Sequence, residues 1–313
     1  MTIFDEAAIR RAIDPATAVI AIREAFHADG LKRTTVPAVI NLAIPSADGE
    51  FHVKSAYIEN VPRIAVKVAS SFYRNPERGL PSGAGLMMLF DAATGMPEAL
   101  LLDNAYLTDV RTGAAGAIAA DVLARREIRT LGILGSGVQA RHQTECLLVV
   151  RRPQRVVCWS RARAHAEGCC ADLRSAHGLE AVTADDPETV VRVADLLVTT
   201  TPAREPLVRA DWLRPGLHIT AVGSDAPGKQ ELEAACLTRA DLVAVDRRTQ
   251  CAAFGELAHA PQARVYAELG EIVAGLKPGR TSDDQITIAD LTGVGFQDTA
   301  IANAVYKVLK PEP

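Results

Sequence analysis

Thr130-Leu131-Gly132-Ile133-Leu134-Gly135-Ser136-Gly137-Val138-Gln139-Ala140 reads as a buried strand that turns on glycines into a helix, the latter running from Gln139 to Val150. This is the G-x-G-x-x-A form of the dinucleotide-binding fingerprint. Gly135 permits the tight turn, Gly137 presents no side chain to a pyrophosphate, and Ala140 lets helix and strand pack closely. Ser136, Val138 and Gln139 complete the loop and the first helical turn, whose free N–H groups and positive dipole end suit phosphate. An ordinary βα turn rich in glycine is the competing explanation, and the strand that follows at Arg155–Trp159 weighs against it.

Outward from this loop, strand-like runs at Leu131–Leu134, Val156–Trp159, Leu196–Thr200, His218–Val222 and Leu242–Val245 alternate with helical patterns. One of these helices opens on Asp186-Pro187, a cap followed by proline. Such alternation predicts a parallel sheet with right-handed crossovers. The N-terminal third differs. Asp14-Pro15 starts a helix that Gly30 closes. Ala38–Ile44, Glu50–Ile58, Ile64–Phe72, Leu86–Phe90 and Glu98–Leu102 then follow one another with short links, the last two flanking a hairpin loop at Asp91–Gly95. Consecutive strands so linked predict an antiparallel sheet. Leu107–Leu123 is an Ala-rich helix without proline, and the tail from Ile286 to Leu309 has a strand-like start, a glycine loop and a final helix expected to return to the first domain. The predicted fold class is α/β: a Rossmann-type doubly wound parallel sheet over residues 119–289, plus an α+β domain built from both chain ends, 1–118 with 290–313.

Composition fits two soluble domains. Of 313 residues, 48% are hydrophobic, enough for sizeable cores, and the net charge of −4 lacks long single-sign runs. Neither nucleic acid nor an anionic membrane is therefore an expected partner. Asp5, Glu6, Arg10 and Arg11 near the start make a signal peptide unexpected, no apolar run approaches the roughly 20 residues of a membrane span, and a cytoplasmic location is predicted. Six cysteines without C-x-x-C spacing and seven histidines without a zinc pattern predict neither a disulfide framework nor a metal site.

The second strand of an NAD-binding domain ends on an acid that holds the ribose 2′-OH. Here it ends Cys158-Trp159-Ser160-Arg161, with no Asp or Glu from Arg155 to Ala166. Ser160 and Arg161 suit a 2′-phosphate, so NADP(H) is favoured and NAD(H) remains possible. A surface arginine is the plainer explanation of Arg161, and the fingerprint alone also admits FAD. Elsewhere, Lys54 and Lys67 lie in apolar strand runs. A lysine there needs a partner or an exit to water, and an outward-facing side chain accounts for Lys54 equally well. Arg111, in the first turns of the Ala-rich helix, can clamp a carboxylate or pair with Asp109. Asp225 follows a strand end, where open α/β sheets place ligands, and can equally be a helix cap.

In order along the chain, Lys67, Gly79-Leu80-Pro81-Ser82, Thr108-Asp109-Val110-Arg111-Thr112, the glycine loop, Gly223-Ser224-Asp225 with Pro227-Gly228-Lys229, Asp290-Leu291-Thr292-Gly293 and Gln297-Asp298 make the sequence resemble the ornithine cyclodeaminase/mu-crystallin family from about Phe51 to Asp298. The resemblance implies a split first domain that binds substrate and forms homodimers, and chemistry at a C=N bond beside a carboxylate. It gives Lys67 and Arg111 the substrate carboxylate, Ser82 a ligand contact, and Asp225 the proton. It also gives Thr201, Val222, Gly223, Ser224 and Lys229, with Thr112, contacts to the cofactor. Burial beside the cofactor is expected to help Asp225 carry a proton near neutral pH. One departure stands out: many members carry an arginine two residues after a proline in the second element, whereas Pro37 is followed by Ala38 and Val39, with Arg33 upstream. The activity implied is that of an imine reductase or amino-acid dehydrogenase. Ornithine cyclodeamination and non-catalytic NADPH binding are the alternatives. The joint presence of Lys67, Arg111 and Asp225 speaks against the last.

Overall fold

Two sheets organise the chain, and the division between them falls inside an alanine-rich helix. The computed structural model describes residues 1–310. It separates into Met1–Arg111 with the chain from Val294 onward, and Thr112–Gly293. The expected boundaries lay after 118 and after 289. Periodicity gave no sign of a break at Arg111, because the helix carrying it runs on without interruption.

The first unit begins with β1 (Thr2–Asp5), α1 (Glu6–Ala12), α2 (Pro15–Gly30), β2 (Thr34–Thr35) and β3 (Ile40–Ile44). It continues through β4 (Gly49–Ile58), β5 (Arg63–Phe72), β6 (Gly83–Asp91), β7 (Pro97–Leu102) and the first turns of α3 (Tyr106–Leu123). The Asp14 carboxylate accepts from the Thr17 N–H at 2.7 Å, and Pro15 occupies the first helical turn of α2. The β6–β7 hairpin is tied by Asp91, which accepts from Thr94 N–H at 2.7 Å, and by Gly95 at φ +72°. The sheet order is β1-β7-β6-β5-β4-β2, with β3 also on β4. Every pairing is antiparallel except β1 with β7, a strand the sequence did not signal. Register puts Lys54, Lys67 and Met87 in one cross-strand row and Ala56, Ala65 and Leu89 in the next, all buried. The other face carries the row Ile40, Val53, Val68 and Leu86.

The second unit runs β8 (Thr130–Leu134), α4 (Val138–Val150), β9 (Arg155–Trp159), α5 (Arg163–His177), β10 (Glu180–Thr183), α6 (Pro187–Val193) and β11 (Leu196–Thr199). Then come β12 (His218–Ala221), α7 (Ala234–Arg239), β13 (Leu242–Val245), α8 (Arg248–Phe254), β14 (Ala267–Glu268), α9 (Leu269–Val273) and β15 (Thr287–Asp290). All pairings are parallel, in the order β10-β9-β8-β11-β12-β15-β13-β14. Strand order reverses between β8 and β11, which is where such sheets place ligands. The tail returns to the first unit only after β15, which fills the slot between β12 and β13, fully buried.

After β15 the chain re-enters the first unit as α10 (Gly295–Leu309), as anticipated for the final helix. Phe296 meets Phe26 edge to face at 5.2 Å, and Tyr306 meets Phe4 at 6.2 Å. Thr299 Oγ1 donates to Ala56 O at 2.8 Å, seating the helix on β4. Gly295 is required there: a Cβ would lie 2.3 Å from the Ser55 carbonyl oxygen.

Candidate functional site

Each unit holds its own cluster of functional groups. In the second, the glycine loop leaves β8 with Gly135 at φ +108°, where a Cβ would also stand 2.5 Å from Thr200 Oγ1, so any other residue there is both strained and obstructed. Gly137 caps α4 with no side-chain hydrogen bond, and a Cβ at that position would meet nothing within 4 Å. The bare, open ground at a helix N-terminus fits a dinucleotide pyrophosphate, and Ala140 is buried against the strand. Ser136, Val138 and Gln139 lie on the same turn, at least partly open to solvent. Arg141, which the sequence did not single out, donates to the carbonyls of Ser136 at 2.8 Å and Gly137 at 3.1 Å, bracing the loop from behind. At the end of β9, Ser160 is half-buried and Arg161 exposed.

The other strand-end loops of this unit meet on Glu231. Its carboxylate accepts from Thr199 Oγ1 at 2.6 Å, from Thr201 N–H at 2.6 Å and Oγ1 at 2.7 Å, and from Gly223 N–H at 2.9 Å. It thereby joins the ends of β11 and β12. Burial pushes its pKa up to about 7 against the pull of those hydrogen bonds. Val222 is buried, and Ser224 Oγ donates to Lys229 O at 2.7 Å, closing the loop on itself. Asp225 corrects another expectation. Its carboxylate is 47% exposed and accepts from Lys229 Nζ at 2.7 Å, so an ion pair rather than burial sets its surroundings. Thr112 at the edge of the unit accepts on its carbonyl from Gln143 Nε2 at 3.0 Å.

In the first unit Lys67, Arg111 and Asp298 come together, all buried. Lys67 Nζ is 3.1 Å and Arg111 Nε 3.2 Å from the same oxygen, Asp298 Oδ1. Arg111 also donates to Gln297 Oε1 at 3.0 Å. Arg111 thus pairs with Asp298 of α10. Arg111 Nε, both Asp298 oxygens and Gln297 Nε2 lack an aligned hydrogen-bond partner despite burial, which marks the cluster as unfinished without a ligand. Burial pushes the Lys67 pKa down to about 7, helped by Arg111 and Lys54 and opposed by Asp298. Asp103 accepts from Leu107 N–H at 2.8 Å at the start of α3, and burial raises its pKa to about 6. Asn104 and Ala105 follow at φ +50° and +68°, so left-handed strain sits immediately before the helix that delivers Arg111. Ser82 is exposed, and its carbonyl accepts from Phe72 N–H at 2.7 Å. Lys54 is buried rather than outward-facing, directly across the ladder from Lys67. Among the described residues no His, Cys, Asp and Glu grouping suits a metal ion, and no helix is long and apolar enough to cross a membrane.

A parallel sheet with an open glycine loop at its reversal point defines a Rossmann-type α/β protein, and a buried cationic cluster beneath a second, antiparallel sheet narrows it further. The sequence profile of the ornithine cyclodeaminase/mu-crystallin family matches residues 5–312. A Rhizobium meliloti (strain 1021) chain provisionally named a dehydrogenase is 44% identical, covering 98% of this chain and 95% of its own. Among solved structures, an archaeal alanine dehydrogenase dimer with bound NAD superposes with a TM-score of 0.91 at 35% identity, covering 98% of this chain and 95% of that one. The Thermococcus litoralis Δ1-pyrroline-2-carboxylate reductase in complex with NADH and L-proline gives 0.94 at 28% identity, covering 98% and 97%. The chain belongs to the ornithine cyclodeaminase/mu-crystallin family.

Proposed function

We propose that the protein is an NAD(P)-dependent reductase of α-imino acids, acting in the reverse direction as an amino-acid dehydrogenase. The observation that carries this is the buried Lys67–Asp298–Arg111 cluster, whose unsatisfied donors suit a carboxylate. When bound, the reduced nicotinamide supplies the hydride that the C=N carbon accepts. Lys67 and Arg111 hold the neighbouring carboxylate, with Ser82 as a further contact and Gln297 fixing the Arg111 fork. In this reading Asp225 is the acid–base residue beside the reacting nitrogen, and its pairing with Lys229 holds the carboxylate in place. Gly135, Ser136, Gly137, Val138, Gln139, Ala140, Thr112, Thr201, Val222, Gly223, Ser224 and Lys229 hold the dinucleotide.

NADP(H) is the favoured form, on the exposed Arg161 and half-buried Ser160 at an acid-free strand end. The NAD and NADH seen with the two solved relatives make the comparison of NADPH with NADH part of the test. The first unit takes the role of substrate and dimerisation domain. Its helix-free sheet face is apolar, and Val68, Leu86 and Leu102 line a depression of about 360 Å³ on it. Six buried cysteines, none in a disulfide, accord with a cytoplasmic setting.

The experiment is cofactor oxidation followed on mixing NADPH or NADH with an α-keto acid and ammonium. Turnover that requires both co-substrates is expected, and Asp225→Ala should lose roughly a hundredfold or more of it while still binding dinucleotide. Ammonia and proline released from ornithine with only catalytic NAD⁺ would instead indicate cyclodeamination. Full turnover in Asp225→Ala would remove that residue from the mechanism.

A further inference from the structure

Glu231 has no part in the chemistry so far, yet it occupies a costly position. It is fully buried, and burial opposes its charge. A carboxylate kept in such a place has to be matched by donors, and this one is matched on both oxygens. Oε1 accepts from the Thr201 N–H at 2.6 Å and from the Thr201 hydroxyl at 2.7 Å. Oε2 accepts from the Thr199 hydroxyl at 2.6 Å and from the Gly223 N–H at 2.9 Å. An ionised carboxylate offers about four acceptor sites, and these donors use them all. A protonated acid or an amide at this position would turn a donor onto a donor.

The backbone that carries this carboxylate is pinned as well. Glu231 N–H donates to Glu256 Oε1 at 2.8 Å, and its carbonyl accepts from the N–H groups of Leu207 at 2.7 Å and Val208 at 3.0 Å. Glu256 is anchored in turn, its N–H donating to Asp290 Oδ1 at 3.1 Å, so the clamp rests on the end of β15. It grips the loops after β11 and β12. These approach so closely that a Cβ on Gly223 would lie 2.2 Å from the Thr201 carbonyl oxygen. Thr201 and Gly223 are partly open to solvent and Glu231 is not, so Glu231 can reach a ligand only through them. In a doubly wound sheet, the halves on either side of the reversal each take one mononucleotide of a dinucleotide. The end of β9 belongs to the adenosine ribose, which leaves the ends of β11 and β12 to the nicotinamide half.

We propose that Glu231 is a positioning residue for the nicotinamide half of the dinucleotide, acting by fixing Thr201 and Gly223, and that it leaves the adenosine half untouched. This rests on the reading of the second unit as an NAD(P) site. The test measures binding to the full chain by calorimetry, comparing NADH with ADP, and NADPH with ADP carrying a 2′-phosphate. Glu231→Gln should weaken the better-bound dinucleotide by roughly tenfold to a hundredfold, the range for losing a hydrogen bond to a charged group, and leave the affinity of its ADP fragment unchanged. Thr199→Val removes one donor to Glu231 and alters no residue assigned to the cofactor. It should act in the same direction by roughly threefold to tenfold, the scale of one hydrogen bond, and it gives the answer if Glu231→Gln does not fold. Equal losses for dinucleotide and fragment in a folded variant would show a general structural role and overturn the proposal, as would unchanged dinucleotide binding. Either result leaves the reductase reading intact. Failure of the unaltered protein to bind NADH or NADPH overturns both.

Discussion

Lys67 shows how one residue couples sequence, burial and activity. Its ammonium is charged in the free protein only below about pH 7, because burial opposes the charge. The sign of the consequences follows. Between about 7 and the ordinary lysine value of 10.5 the unfolded chain binds more protons than the folded one, so folding stability gains as pH rises through that window. Carboxylate capture moves the other way, since it needs the charged form. We expect kcat/KM for the imino acid to fall as pH rises above about 7, and Lys67→Met to abolish both trends in pH-dependent melts and kinetics. Lys67 and Arg111 were legible in the sequence from the motifs around them. Asp298 and Gln297 were visible only as part of a motif, without a role, because the residues they serve lie far off in the chain: Gln297 is 186 positions from Arg111. No local periodicity reports a contact at that distance. Asp225 was correctly placed at a strand end, but its exposure depends on how its loop folds around Lys229, which sequence spacing does not encode.

At the scale of elements, α10 matters most, because it carries Asp298 in its first turn while its start presses on β4. A methyl group at 295 would collide with backbone at Ser55 rather than with a yielding side chain. Gly295→Ala should therefore destabilise the fold by roughly 1–3 kcal/mol, the usual cost of overpacking, measurable by urea denaturation, and should raise KM for substrate more than for the dinucleotide. A variant as stable as the parent would show that α10 can shift freely. The long strands and helices were legible from their periodicity, and so was the glycine loop. The slot of β15 between β12 and β13 was not legible, because Thr-Ile-Ala-Asp is too short to show a period and its neighbours in the sheet come from elsewhere in the chain. β1 and β14 escaped for the same reason of length.

For the whole molecule, the helix-free face of the first sheet exposes Ile40 at 65% and Leu42 at 57%, in register with Val53 and Phe51 of β4. An apolar sheet face of this kind marks an interaction surface, and the proposed homodimer would cover it. Sedimentation should give twice the chain mass for the unaltered protein and a monomer for an Ile40→Glu, Leu42→Glu variant; a dimer that survives both changes would place the contact elsewhere. The central claim is that this family member moves a hydride onto the carbon of a C=N bond. The most direct measurement is to run the reaction with reduced nicotinamide deuterated at the transferring position and to examine the amino acid formed from keto acid and ammonium. The account predicts one deuterium at its α-carbon for each cofactor oxidised. An unlabelled product, or a cofactor that binds and is never consumed, would contradict it.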